Sequence, residues 1–355
     1  MDEKISMLDS KRARTQPTLS DIARELGVST ATVSRALHLE RSSNVGDELR
    51  QKVQQMAREL GYQPNLVGRS LVKGRSHTVS YWTLDAFSPY YVGVAYRVCE
   101  EAARRRYNVI INSAIDPANH LEPNGAGAGT GNPVASSFDG IIACDVAYQR
   151  NAFAQSLRSL NVPFVGIGMN FPPDRDFVAL DFYQAGALAI EHLLKQGCRR
   201  IAHLTTSRAG DDDARAVAYA DAMEAAGQPL LQIHLGFHHR KDARARIVEY
   251  IGEQRALGRA LPDAIFCIND EAAIGCYRGL CDLGLRVPED MLLIGCDGIE
   301  DTEYHACPIS TVALPVEKMC SLSWDFLENR IQNPEISPQQ VTLPPKLVVR
   351  PSALR

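Results

Sequence analysis

Between residues 78 and 295 the chain alternates short apolar runs with helix-patterned segments, and that rhythm narrows the fold more than any other feature. Apolar runs at 78–84, 109–113, 140–144, 163–168, 201–205, 264–268 and 291–295 predict strands. Segments 92–106, 150–160, 184–196, 213–226, 242–257 and 271–283 predict helices between them. Strand and helix in alternation mean parallel sheets with helices on both faces. The units are too many for one compact sheet, so two doubly wound α/β lobes are expected. The interval 122–137, rich in Gly, Pro and Ala, breaks the rhythm and reads as a surface loop. Its glycines, Gly125, Gly127, Gly129 and Gly131, are not followed by the Gly-Lys-Ser/Thr of a phosphate loop.

Ahead of this body, residues 1–76 carry 13 Lys and Arg against 9 Asp and Glu, a net charge of +4, while the remainder is net −8. A basic head on an acidic body suits a nucleic-acid reader joined to a different module. Thr18-Leu19-Ser20-Asp21 has the form of a capping box, after which Ile22, Ala23 and Leu26 share one helical face. Gly27 stands where a left-handed residue ends a helix, and Ser29 can cap the next one at once. In that second helix Val33, Ala36 and Leu37 point one way, while Thr30, Ala31, Ser34 and Arg35 point another. A third helix over 46–60 has an inner stripe of Leu49, Val53, Met56, Ala57 and Leu60 and ends at Gly61. A plain three-helix bundle explains the apolar stripes but not the outward face. Short hydroxyl and methyl groups beside one Arg suit the major groove, where Arg grips guanine and small groups meet the thymine methyl.

Leu19-Ser20-Asp21-Ile22-Ala23 and then Val28-Ser29-Thr30-Ala31-Thr32-Val33-Ser34-Arg35-Ala36-Leu37 resemble the DNA-binding head of the LacI/GalR family of transcriptional regulators. Leu60-Gly61-Tyr62-Gln63-Pro64-Asn65 continues the match, and Gly68-Arg69-Ser70-Leu71 resembles the family's hinge. The resemblance implies a flexible tail over 1–16, a helix-turn-helix domain over 17–62, a hinge helix and linker over 63–76, and an effector-binding and dimerisation domain, periplasmic-binding-protein-like, over 77–355. Within the last, it implies an N-lobe of 77–170 and 309–331 and a C-lobe of 171–308 and 332–355. The implied DNA contacts are Ser29, Thr30, Ala31, Thr32, Ser34, Arg35, Asn65 and Arg69, with Leu71 as a minor-groove wedge. Two departures stand out. The link over 38–44 is longer than the family's usual one, and Gly68 stands where Ala is general. Gly inside a helix costs about 1 kcal/mol relative to Ala, so the hinge helix depends more on DNA and its dimer mate.

Ligands of parallel sheets bind beyond the carboxyl ends of the strands. There the chain places Ser88, Tyr90 and Tyr91 after the first strand, Asp145 after the third, Asn269 after residue 268 and Asp297 after 295. Arg215 opens the helix after 201–205. Tyrosine rings, one guanidinium, an amide and carboxylates suit a small polyhydroxylated ligand. An Asp after a strand is also a common helix cap, so each residue alone has a purely structural alternative. The resemblance runs through Gly197-Cys198-Arg199-Arg200-Ile201-Ala202, Cys267-Ile268-Asn269-Asp270-Glu271 and Gly284-Leu285-Arg286-Val287-Pro288. It places Arg215, Asn269 and Asp297 at effector contacts, and less directly Tyr90, Tyr91, Asp145 and Phe237.

Other classes fit less well. No apolar run is long enough for a membrane helix, and the charged start lacks a signal peptide, which argues for the cytoplasm. Nine cysteines without a C-x-x-C pair read as buried thiols rather than disulfides or metal ligands, and His238-His239 has no partner at ligand spacing. No cofactor is expected. A solute-binding protein shares the body but not the head, and an α/β enzyme would need a nucleophile or metal motif that the sequence lacks. Ser70-Leu71-Val72-Lys73 matches S-x-x-K but lies in the hinge, and chance explains it. The expected partners are therefore operator DNA, a carbohydrate-like effector and a second copy of the chain. The expected role is a repressor under effector control.

Overall fold

In the head, each helix boundary follows from its local chemistry. The computed structural model describes residues 17–37, 45–62, 75–113, 138–146, 162–169, 174–206, 213–237 and 239–355. It divides into a unit ending at Ser76 and a second from His77 to Arg355. Helix α1, Leu19–Leu26, opens on the capping box: the Thr18 amide donates to Asp21 Oδ2 at 2.9 Å, and the Asp21 amide donates to the Thr18 hydroxyl at 3.4 Å. Gly27 closes it at φ 63°, a backbone state that glycine adopts without strain. Helices α2, Thr30–Leu37, and α3, Asp47–Leu60, complete the unit. Their core is Ile22, Val33 and Val53, fully buried, with Ala23, Ala36 and Ala57 letting the helices approach closely. The longer link and the hinge, with Asn65, Arg69 and Leu71, lie outside the described residues.

The second unit holds β1 (Thr78–Thr83), α4 (Pro89–Arg104), β2 (Asn108–Ser113), β3 (Gly140–Cys144), β4 (Phe164–Gly168) and β5 (Asp176–Leu180). Then follow α5 (Phe182–Lys195), β6 (Ile201–Thr205), α6 (Ala214–Ala225), β7 (Leu231–His234), α7 (Arg240–Ala256), β8 (Ala264–Cys267), α8 (Asp270–Asp282) and β9 (Leu292–Asp297). The chain ends with β10 (Ser310–Ala313), α9 (Val316–Gln332), β11 (Gln340–Leu343) and β12 (Lys346–Val348). Two six-stranded sheets result, in the orders β11-β5-β4-β3-β1-β2 and β12-β10-β9-β8-β6-β7. All described pairings are parallel except β10 with β12.

The lobe limits differ from those the sequence suggests. Strands β5 and β11 belong to the first sheet, and β10 to the second. The chain thus passes between lobes after Leu180, after Ala313 and after Leu343, rather than at 170, 308 and 331. The reason is that the gap between β4 and β5 is too short for a crossover helix, so the strand–helix rhythm gives no sign of β5. Helix α9 returns to the first lobe, where fully buried Trp324 donates from its indole N–H to the Val98 carbonyl at 3.1 Å. The predicted helix over 150–160 and the Gly-rich interval lie outside the described residues.

Candidate functional site

Two surfaces bear the predicted residues, one in each unit. In the head, the Ser29 hydroxyl accepts from the Thr32 amide at 3.1 Å and shares a 2.9 Å hydrogen bond with the Thr32 hydroxyl, so both are engaged in starting α2. With that end fixed and Val33 and Ala36 buried, Thr30, Ala31 and Arg35 stand exposed in a row, with Ser34 half-buried beside them. The Arg35 Nε donates to the Ala31 carbonyl at 3.2 Å, and no carboxylate among the described residues pairs with it. The bases Arg24, Arg50 and Lys52 are instead paired with Asp21, Asp47 and Glu48. Arg35 is thus a guanidinium held along its helix, with its remaining donors unspent among the described residues.

In the body, the ends of the strands of both sheets face one another. From the first lobe, Ser88 precedes α4 without capping it, and Pro89 occupies the first turn. This leaves Tyr90 and Tyr91 buried with their rings edge to face at 5.1 Å. The Tyr91 hydroxyl donates to Asp145 Oδ2 at 3.0 Å, and the Met169 amide donates to Oδ1 at 2.8 Å. Asp145 itself sits at φ 59°, and a methyl group on Gly168 would overlap its carboxylate. The close fit over glycine is what leaves room for an acid in this buried corner. Burial raises its pKa, against the stabilising bonds from Met169 and Tyr91.

From the second lobe, Asp213 caps α6 and receives the fork of Arg215: Nε donates to Oδ1 at 3.1 Å and an Nη to Oδ2 at 3.0 Å. The other Nη donates to the Ile268 carbonyl at 2.8 Å, and the guanidinium lies 4.7 Å from the centre of the Phe182 ring. Burial pushes Asp213 up, but the adjacent Arg215 outweighs it and holds the acid at about 2. Asn269 spends its Oδ1 on the Ala272 amide at 2.9 Å, capping α8. Asp270 is a satisfied structural acid. It accepts from the Thr311 hydroxyl at 2.7 Å and from the amides of Gly298 and Ile299 at 2.7 and 2.9 Å. Burial nevertheless lifts it to about 6.

Asp297 differs from all of these. It is buried at φ 131°, and among the described residues its carboxylate draws support from an amide hydrogen bond from Asp270 and from the charge of Arg215. Burial first, and then the charges of Asp270 and Asp145, push its pKa well up. The Tyr90 hydroxyl is buried, has no hydrogen-bond partner among the described residues, and feels both Asp145 and Asp297. The structure therefore brings Tyr90, Tyr91 and Asp145 of one lobe into electrostatic contact with Arg215 and Asp297 of the other. Asn269 adjoins them as a cap, while Phe237 lies farther along, after β7, with its ring 6.3 Å from that of His239. Sequence reasoning missed Asp213, Gly168 and Phe182, which orient Arg215 and seat Asp145. An Asp two residues before an Arg at a helix start was the available signal for the first.

Two family models match the chain: "Bacterial regulatory proteins, lacI family" over residues 18–65 and "Periplasmic binding protein-like domain" over 190–353. The ribose operon repressor of Escherichia coli strain K12 is 29% identical over 348 residues, covering 95% of this chain and 99% of that one. The chain is thus similar to lacI-family regulatory proteins in its head and to periplasmic-binding-protein-like domains in its body. The HTH-type transcriptional repressor PurR of Pasteurella multocida strain Pm70 is 26% identical over 348 residues, with 94% and 98% covered. Among solved structures, the lac repressor dimer bound to operator and an anti-inducer has the same fold, with a TM-score of 0.78 at 22% identity over 96% of this chain and 100% of that one. The transcriptional regulator CelR in complex with cellobiose gives a TM-score of 0.65 at 25% identity, with 95% and 100% covered. Among the described residues no helix is long and apolar enough to cross a membrane.

Proposed function

We propose that this protein is a homodimeric repressor of the LacI type that binds a near-palindromic operator through α2 and releases or tightens on it when a sugar enters the cleft between the lobes. The observation that carries the reading is the exposed row Thr30, Ala31 and Arg35 on a helix whose start is fixed by Ser29 and Thr32. Two such rows, one per protomer, would read half-sites in successive major grooves. Asn65 and Arg69 would add backbone contacts, and Leu71 would wedge the minor groove. The cleft side rests on Ser88, Tyr90, Tyr91, Asp145, Arg215, Phe237, Asn269 and Asp297 as effector contacts. The names of the relatives, a ribose operon repressor and a cellobiose-bound regulator, support a sugar as the effector class. Any coupling is reciprocal: the effector changes operator affinity by the factor by which operator changes effector affinity.

Operator selection followed by gel shift tests the head. Arg35→Ala should weaken specific binding by about 1–3 kcal/mol and relax preference at one base pair in each half-site. An unchanged base preference would remove Arg35 from the readout.

A further inference from the structure

The guanidinium of Arg215 is held by three separate elements. Asp213, two residues earlier, takes its fork: Nε donates to Oδ1 at 3.1 Å and one Nη to Oδ2 at 3.0 Å. The Ile268 carbonyl, one residue beyond the end of β8, accepts from the other Nη at 2.8 Å. Phe182, the first residue of α5, lies against the guanidinium with 4.7 Å between Cζ and the ring centre. The backbone is held as well. Gly186 stands one turn after Phe182, and a methyl group there would come within 2.8 Å of the Arg215 carbonyl oxygen, so α5 presses on α6 at this residue.

A planar guanidinium has five N–H donors in a fixed fork. Three are placed by these bonds, which leaves two at most for a ligand. The directions of those two follow from the plane, and the plane is set by Asp213, Ile268 and Phe182 rather than by the ligand. A free arginine samples many rotamers, and this one has spent that freedom in folding. A ligand therefore meets donors already ordered, which lowers the cost of binding and penalises hydroxyls that do not coincide with them.

Asp213 also caps α6, its Oδ1 accepting from the Arg215 amide at 2.9 Å. A cap needs one acceptor oxygen, and Asn supplies it as well as Asp does. The second oxygen, Oδ2, goes instead to the guanidinium. Capping and positioning thus use different atoms of one carboxylate.

We infer that Asp213 is a positioning residue which, with Phe182, fixes Arg215 as a rigid reader of hydroxyl configuration, so that the cleft distinguishes sugars differing at a single stereocentre. This rests on the reading of Arg215 as an effector contact and says what makes that contact selective.

Calorimetric titration of the full chain with two epimeric pairs tests it: ribose with arabinose, and cellobiose with lactose. In a pair that binds, the parent should prefer one epimer by about tenfold or more, the worth of one hydrogen bond to a charged group. Asp213→Asn keeps the cap but loses the second acceptor. It should weaken the preferred sugar about tenfold and shrink the preference to about threefold or less. Phe182→Leu, which keeps an apolar surface without the ring face, should act in the same direction more weakly. The effect must pass through Arg215, so in an Arg215→Met background Asp213→Asn should change sugar affinity by less than about twofold. A merely structural Asp213 would lower the melting temperature and leave the epimer ratio as in the parent. That result overturns the inference, as does a parent that binds both epimers alike. If neither pair binds, the sugar reading fails, and the mobility of Arg215 then judges the positioning by itself. The Arg215 Nε–H resonance, assigned by its loss in Arg215→Met, should exchange with water about tenfold faster in Asp213→Asn than in the parent, and equal exchange overturns the positioning too.

Discussion

Asp270 and Asp297 sit at the ends of adjacent strands in one lobe, both buried, yet the protein treats them in opposite ways. Asp270 is saturated, with a hydroxyl and two amides on its oxygens, and it ties the turn after β9 to β10. Asp297 carries a comparable burial penalty with scarcely any donors to offset it. A buried carboxylate with its full set of bonds is scaffold, and one without them is awaiting something. The contrast separates two residues of the same type, at the same edge, that the sequence pattern presents as equivalents.

The largest effect that would break this contrast is on stability. Asp270→Ala strands the Thr311 hydroxyl and the Ile299 amide and leaves the Gly298 amide only its 3.2 Å bond to Thr311; at about 1–3 kcal/mol for each unpaired group, unfolding free energy should fall by about 4 kcal/mol. Urea denaturation measures it, and a loss below about 1 kcal/mol would place Asp270 outside the scaffold. Next comes Asp297→Ala, which should leave the urea midpoint intact or raised while weakening the effector by about 150-fold, the loss of two charge-assisted bonds. Calorimetric titration decides that, and unaltered affinity with a lower midpoint would mean that Asp297 is scaffold as well.

A smaller effect is expected at Gly168→Ala. The added methyl overlaps the Asp145 carboxylate at a residue with φ 98°, so the acid must shift off Met169 and Tyr91. Effector affinity should fall about tenfold, from an acid misplaced rather than removed. If Gly168→Ala binds like the parent, the seat of Asp145 is irrelevant to the ligand. The smallest effect is in pH. Asp297 has a raised pKa, so the native state binds a proton that the unfolded chain has released, and its contribution to stability falls as pH rises above the ordinary carboxylate range. The melting-temperature gain of Asp297→Asn over the parent should therefore be larger at pH 7.5 than at pH 5. A gain independent of pH would mean that charge is not its source.

What the sequence revealed depended on how local the determining physics is. The capping box of Thr18 and Asp21 and the left-handed Gly27 and Gly61 act within four residues, and the structure has them as read. The fully buried strands Gly140–Cys144 and Ile201–Thr205 were visible as unbroken apolar runs. Strands β10, β11 and β12 were not, since three or four residues such as Lys346–Val348 become a strand only through a partner supplied by the fold. In the cleft, Arg215, Asn269 and Asp297 could be singled out by position and by resemblance. Their states could not: that Arg215 is matched by Asp213, that the Asn269 oxygen is spent on a cap, and that Asp145 rests over Gly168 are facts of three-dimensional neighbourhood.

The placement of β11 has a consequence for biosynthesis. Gln340–Leu343 completes the edge of the first sheet by pairing with Phe177–Leu180, strands that leave the ribosome about 160 residues apart. At about 5–20 residues per second the exposed edge of β5 waits on the order of ten seconds or more for its neighbour. During that interval it is an unpaired parallel strand, the kind of edge that invites another nascent chain. Any ribosome that stops before residue 340 therefore releases a first lobe with an open side, however complete its second lobe has become.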